Sequence, residues 1–485
     1  MDIFYQVLQI RKMNIFDKKL VLSVSIFKFT KSKIMKKTVV LFFFFFVGLC
    51  VFAQENESKK EVTKEGWNFG ALPTITFDTD LGFQYGALVN LFNYGDGSRY
   101  PKYNHSLYFE VSRYTKGSGI NRFYYDSDKL IKGLRTTVDL SYLSDQAYDF
   151  FGFNGYDAVV NYDWIDDTKP DNIYKSRMFY KYDRKMFRFK VDLQGKITGE
   201  NLKWIGGFNL MNFKLASVDI DKLNKGKEGD EVLPKIDGLY EKYQDWGIIN
   251  QEEANGGFVP TLKAGLVYDS RDNRPNPMKG IWTEAVIEGA PEFLGAESSF
   301  TKMSITHRQY FTIIKDDLSF AYRLNYQTSI GGQVPFYYQT QVLVSELKGA
   351  SSEGLGGGTT LRGVKRNRVM GDGYFLGNIE ARWKVVRFRM INNNFYLGLN
   401  GFMDFGRVTK KMSGIEGVKT IFSGNLTPYS VDDFYVEDAE KMHISYGAGL
   451  RIAMNQNFVI KCDYGMAADE RDGKSGVYIG LNYLF

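Results

Sequence analysis

Arg362 sits in a glycine-rich run, Gly356-Gly357-Gly358-Thr359-Thr360-Leu361-Arg362-Gly363-Val364, and two acids, Glu380 and Asp404, follow in the next two segments of strand-like alternation. The chemistry open to this set is ion pairing. A guanidinium is planar, stays charged, and offers donors enough to hold two carboxylates at once. Glycines beside it let the backbone press close to a neighbouring surface. Catalytic alternatives lack their parts. The three histidines, His105, His307 and His443, all fall inside strand-like segments, which supports neither a metal cluster nor a Ser-His-Asp set. The glycines at 354 and 356–358 do not open a helix, so a phosphate loop is not expected, and no serine follows the nucleophile-elbow spacing. The sequence therefore predicts no catalytic residue, no metal, no cofactor and no enzyme activity.

The elements around the run decide where Arg362 can go. Before it, Leu318, Phe320, Tyr322, Leu324 and Tyr326 share one face, and Ser319, Ala321, Arg323, Asn325 and Gln327 share the other. After it, in Tyr374 to Trp383, the residues Phe375, Ile379, Ala381 and Trp383 are opposed to Asn378, Glu380 and Arg382. In the next segment Leu397, Leu399, Met403 and Phe405 are opposed to Asn400 and Asp404. Repeated along a chain, this alternation suits a barrel with lipid outside and a wet interior. Arg362 then lies on a loop folded into the lumen, where Glu380 and Asp404 of adjacent strands share its side.

The rest of the chain reads the same way. Aromatics make up 16% of the residues, with 39 Phe and 32 Tyr against 10 Pro, as the aromatic girdles of membrane barrels require. Mean hydropathy is −0.30, too low for a bundle of spanning helices. The net charge of +6 is small and its signs alternate, so no nucleic-acid partner is expected. Met35-Lys36-Lys37 followed by the apolar run to Phe52 predicts a signal peptide over 35–53, preceded by a mis-started stretch at 1–34. Leu49 before Cys50 argues against lipidation, and cleavage leaves Cys462 as the sole cysteine. Residues 54–66 are expected to be a short, flexible periplasmic lead, and residues 67–485 an all-β transmembrane antiparallel barrel of about sixteen strands. Within it, Ser176 to Lys196 reads as one long strand, Ala216 to Gly257 as a long charged outer loop, and Asp269 to Pro277 as a periplasmic turn. The last strand ends with Val477, Ile479, Leu481, Tyr483 and Phe485 on one face, and Leu481, Tyr483 and Phe485 have the look of an outer-membrane sorting signal.

Gly357, Gly358, Arg362 and Gly363, with Glu380 and Asp404, resemble the inward-folded loop motif of the BamA/TamA superfamily of surface-antigen barrels. In that family the loop arginine contacts acids on the next two strands, which Glu380 and Asp404 match. Asp269 to Gly280 is similar to the family's Asp-rich turn, and Phe151-Gly152-Phe153-Asn154-Gly155 to another of its segments. Val364 stands where the family has Phe or Tyr. Members that insert proteins carry POTRA domains ahead of the barrel, and 54–66 leaves no room for one, so the expectation is a barrel-only member. The resemblance implies a Gram-negative outer-membrane protein that helps insert or translocate outer-membrane proteins or lipids through a weakly paired seam. Its implied partners are outer-membrane lipid, nascent outer-membrane proteins and a periplasmic protein. The alternative is a passive, loop-plugged channel or surface-binding barrel.

Overall fold

The computed structural model describes residues 61–78, 81–346, 354–412 and 429–485. The expected signal at 35–53, the stretch 1–34 and the start of the lead fall outside the described residues. Glu61–Arg387 and Asn393–Phe485 form one compact unit, to which Phe388–Asn392 do not belong. Taken alone, they are a hairpin tip in which Ile391 and Asn392 take φ of 47° and 57°.

Sixteen strands form one antiparallel sheet in sequential order. The first eight are β1 (Trp67–Asp78), β2 (Gly82–Asn93), β3 (His105–Tyr114), β4 (Gly119–Ile131), β5 (Leu134–Asp149), β6 (Lys181–Thr198), β7 (Leu202–Ala216) and β8 (Gly256–Asp269). The second eight are β9 (Gly280–Ala290), β10 (Phe300–Ile314), β11 (Leu318–Gly332), β12 (Gly373–Met390), β13 (Asn393–Lys410), β14 (His443–Met454), β15 (Phe458–Ala467) and β16 (Ser475–Leu481). Each strand turns an apolar face outward, where Ile75, Ile287 and Ile479 are more than half exposed. The inward faces hold paired charges, as where Arg122 and Arg188 meet Asp139 at 2.8 and 3.0 Å. Apolar out and polar in is the inverse of a soluble sheet, and it is the pattern of a membrane barrel. Long connections at 150–180, 217–255, 333–372 and 411–442 leave one rim, the outer one, and shorter connections leave the periplasmic rim.

Residues 217–255, expected as a long charged outer loop, carry two short helices, α1 (Ile220–Asn224) and α2 (Leu239–Asp245). Their Leu239, Tyr240, Tyr243 and Ile249 join Phe150, Phe153, Tyr182, Phe213 and Phe336 in a buried cluster that ties the long connections together. Apolar residues set among the charges supply the driving force. The lead is likewise anchored where described: Val62 N donates to Asn394 Oδ1 at 3.0 Å, Asn394 Nδ2 donates back to Val62 O at 2.8 Å, and Gly66 N donates to Gly95 O at 2.8 Å.

The two ends of the sheet meet without a ladder. Among the described residues no strand pairing joins β1 to β16. Instead Leu88, Phe92 and Tyr94, from the inward face of β2 and just beyond it, cluster with Phe458 and the half-buried Leu72, Met454, Ile460 and Leu481. Alternation puts Met454, Ile460 and Leu481 on the outward face of β14–β16. The last strands therefore pass beneath the first two at the periplasmic rim. Gly70 makes room for this, since a Cβ there would stand 2.3 Å from the Phe458 ring.

Candidate functional site

The connection between β11 and β12 fills the lumen in two limbs. Its first limb follows the inner wall from the outer rim inward. Lys302 Nζ donates to Gln339 Oε1 (3.0 Å), Gln327 Nε2 to Gln341 O (2.9 Å) and Ser345 N to Glu284 Oε2 (2.9 Å). The second limb carries Leu355, Leu361, Val364 and Val369, which pack on Tyr374, Leu376 and Val408 of β12 and β13. This packing fixes the backbone on both sides of Arg362.

Arg362 is fully buried. Its Nε and Nη2 donate to the two oxygens of Asp404, each at 2.8 Å, and Nη1 donates to Glu380 Oε1 at 2.7 Å. The Arg362 backbone N–H also donates to Asp404, at 3.0 Å, and the guanidinium lies 3.6 Å over the Phe402 ring. A third acid completes the site, Asp463 of β15, 3.3 Å from Nη1. Arg382 holds the other oxygen of Glu380, and Arg451 holds Asp463, each at 2.6 Å. Asn378 Nδ2 donates to Asp404 at 2.8 Å, and Asn400 Nδ2 to Glu380 at 3.3 Å. Three arginines and three carboxylates thus alternate in a neutral cluster, which is the condition under which buried charge is tolerable.

The glycines serve this geometry. Gly363 takes φ of 105°, and a Cβ on it would lie 2.6 Å from Met466 N on β15. Across from it, a Cβ on Gly465 would lie 2.5 Å from the Arg362 carbonyl oxygen, so two glycines allow loop and strand to touch backbone to backbone. Gly357 N donates to Val364 O at 3.1 Å, and Gly358 abuts the Tyr478 ring. Tyr478 Oη accepts from Gly363 N at 2.9 Å, which brings β16 into contact with the loop.

Alternation places Asn378, Glu380, Asn400 and Asp404 on one inner face, and the structure brings Glu380 and Asp404 to Arg362 with Asn400 and Asn378 bonded to those carboxylates. Asp463, Arg451 and the pairing of Arg382 with Glu380 were not anticipated. Reading β15 in phase, with Lys461 and Asp463 alternating against Cys462 and Tyr464, was the available signal. The proposed terminal stripe is divided. Val477, Ile479 and Leu481 remain on β16; Asn482 takes φ of 65°, and Tyr483, Leu484 and Phe485 turn into the lumen and are buried. There Arg382 Nη2 donates to Phe485 O at 3.1 Å and stacks over Tyr483 at 4.4 Å. A strand running to Phe485 with that residue facing lipid is thus corrected, because a left-handed residue ends the ladder.

The other motifs bind loops to one another. Asn154 N donates to Met370 O at 2.6 Å, and Arg368 donates to the Gly155 and Ala158 carbonyls at 2.9 and 3.1 Å. In the Asp-rich turn Arg271 pairs with Asp269 through two 2.9 Å bonds and stacks 3.8 Å over Trp282. His443 has a carboxylate at each ring nitrogen, Asp472 at 2.7 Å and Glu440 at 3.1 Å, which leaves neither free to relay a proton to a substrate.

The sequence matches the Omp85 superfamily domain over residues 101–485, most of the chain. The chain belongs to the Omp85 superfamily. Among solved structures it is similar to BamA from Haemophilus ducreyi lacking POTRA domains 1-3, at 15% identity and TM-score 0.44, covering 87% of this chain and 69% of that one. It is also similar to CdiB from Escherichia coli, at 10% identity and TM-score 0.48, covering 87% of this chain and 62% of that one. No curated protein matches the sequence. As an Omp85 barrel, this chain is a protein of the Gram-negative outer membrane, in a superfamily whose members are in general assembly or transport factors rather than enzymes.

Proposed function

We propose that this Omp85 barrel helps insert or translocate outer-membrane proteins or lipids, and that its seam is the place where substrate enters. The observation that carries this reading is the unpaired end of the sheet: β1 and β16 meet through apolar side chains and not through a ladder. A strand edge with free N–H and C=O groups can template an incoming strand, which is the physical basis of β-augmentation. Side-chain contacts at such a seam can be exchanged for a substrate strand without breaking a row of backbone hydrogen bonds. In this reading Gly357, Gly358 and Gly363 lay the loop on the wall, and Arg362 with Glu380 and Asp404 locks it, so that β12, β13 and β15 stay in register while the seam works. Leu481, Tyr483 and Phe485 keep a proposed role in the chain's own sorting before it folds. The partners this reading calls for are nascent outer-membrane proteins, membrane lipid and a periplasmic protein that delivers substrate.

The test is depletion of the protein followed by quantitation of the other outer-membrane barrels. A joint fall of many barrels at constant transcript level supports assembly; an unchanged envelope proteome overturns it. A second reading, a loop-plugged passive channel, is favoured by the first limb of the loop running down the lumen. Conductance in planar bilayers that rises on Arg362→Ala supports a plug, and a fully conducting wild type insensitive to that change removes it.

A further inference from the structure

A second site lies at the periplasmic rim, away from the Arg362 cluster. A cavity of about 600 Å³ opens there between the connections 94–104, 132–133, 199–201 and 270–279. Eight of its lining residues are cationic and three are acidic. Most of the cations are already answered. Arg99 pairs with Asp128, Lys196 with Glu200, and Arg135 with Asp126 just behind the wall. Arg271 and Arg274 share Asp269 and Glu346. Three cations remain, Lys102, Lys129 and Lys203, and none makes an ion pair with the described residues. Lys102 and Lys129 are exposed at the mouth, while Lys203 is half-buried in the wall.

We propose that this cavity binds a phosphate group carrying two or more negative charges, a phosphomonoester or a diphosphate. Like charges gathered in one cleft repel one another, and the cheapest relief is an anion held among them. A cleft walled by one sign of charge also concentrates the opposite ion. A carboxylate brings one charge, whereas a phosphomonoester brings about two at neutral pH, closer to the three that are uncompensated. The volume lies within the range of small-ligand sites and leaves room for a headgroup beyond the phosphate itself. The wall is prepared for such a ligand. Arg271 is clamped between Asp269 and the Trp282 ring, and its Nη1 donates to the Arg274 carbonyl at 3.3 Å, which fixes the turn that carries both arginines. The phosphate could be free in the periplasm or carried by a lipid, and the two sources share this chemistry. The site does not depend on the assembly reading.

The experiment uses the full chain folded in zwitterionic detergent and titrated calorimetrically with inorganic pyrophosphate. The expected result is saturable binding of one pyrophosphate per chain that weakens as salt is raised. Lys102→Gln/Lys129→Gln/Lys203→Gln should weaken it about tenfold, from three modest charge contacts. Neutralising Lys214, Lys225 and Lys235 at the outer rim, the same change in net charge, should leave it unaltered. Lys102→Gln and Lys129→Gln alone, at exposed positions that do not threaten folding, should each weaken it by a smaller factor. Competition by phosphatidylcholine nanodiscs doped with phosphatidic acid assigns the site to a lipid headgroup; pyrophosphate binding without such competition assigns it to a soluble phosphate. Absence of saturable binding, or equal binding by the triple variant and wild type, overturns the proposal.

Discussion

Replacing Arg362 by Ala tests the central cluster most directly. The substitution removes the bidentate pair with Asp404, the bond to Glu380 and the contact with Asp463. It leaves three buried carboxylates with two of the cluster's arginines, Arg382 and Arg451, so that the cluster carries a net negative charge away from solvent. Breaking a buried ion pair from one side costs about 3–5 kcal/mol, because the orphaned charge has lost its solvation and gained nothing. At about 1.4 kcal/mol per decade, the unfolding equilibrium should shift by about two to three and a half powers of ten. The assay is urea unfolding of the protein reconstituted in lipid vesicles, followed by tryptophan fluorescence. Arg362→Lys keeps the charge but loses the fork, and should fall between wild type and Arg362→Ala. Arg362→Ala combined with Asp404→Asn should cost less than the sum of the two single changes, since the second removes a charge that the first exposed. A cost below about 0.5 kcal/mol for Arg362→Ala, the range of ordinary surface changes, would refute the claim that this cluster is dry and tightly coupled.

Gly363→Ala should destabilise the same assay by about 1–3 kcal/mol, through its positive φ and the clash with Met466 N. Phe485→Ala should cost about 3–5 kcal/mol in protein refolded in vitro, where sorting plays no part, because the ring is buried among Ile205, Trp282 and Tyr310. Asp372, at the outer rim, has its carboxyl held below the usual range: burial opposes this, but Lys410, Ser329 and Gln339 all hydrogen-bond to the ionised form and prevail. A depressed carboxylate stabilises the fold above its unfolded pKa, near 4, and that contribution fades as pH falls further. Asp372→Asn should therefore lower stability at neutral pH and reduce the loss that wild type suffers on acidification, read by unfolding titrations at both pH values.

Much of the wall could be read from alternation, since a period of two is imposed wherever one face meets lipid and the other meets water. Strand β3 spans His105–Tyr114 and β14 spans His443–Met454, the limits that alternation alone suggests. What alternation leaves open is any contact set by three dimensions and not by phase. Asp463 reaches Arg362 across a separation of 101 residues with no local motif to announce it. Tyr483 and Phe485 keep the apolar period of β16, and only Asn482, a residue type that tolerates the left-handed region, hints that the chain turns inward. In residues 217–255 charge dominates the composition, while a handful of apolar residues dominates the folding. Nor can phase show that β14–β16 slide beneath β1–β2, because parity names the face a side chain occupies and not the surface that covers it.

The placement of the lock relative to the seam suggests a division of labour within one sheet. The seam cluster at Phe458 is drawn from β1–β3, the 94–104 connection and the periplasmic ends of β14–β16, and no described residue of the 333–372 loop belongs to it. The loop is fastened higher on the same strands, by Asp463 on β15 and by Tyr478 on β16. Ion pairs with matched geometry hold one arrangement and tolerate little displacement, whereas apolar side chains lose only part of their contact when they slide. At the loop β15 is therefore pinned by charge and β16 by a hydrogen bond, and both are cushioned by apolar contacts at the rim. If the seam parts, the strands to move with least cost are β1 and β2, which touch Phe458 but not the Arg362 cluster. A cysteine pair confining β1 to β15 at the rim should then arrest substrate entry while leaving the unfolding free energy set by Arg362 unchanged. Arrest accompanied by collapse of the Arg362 cluster would show instead that the two regions move as one.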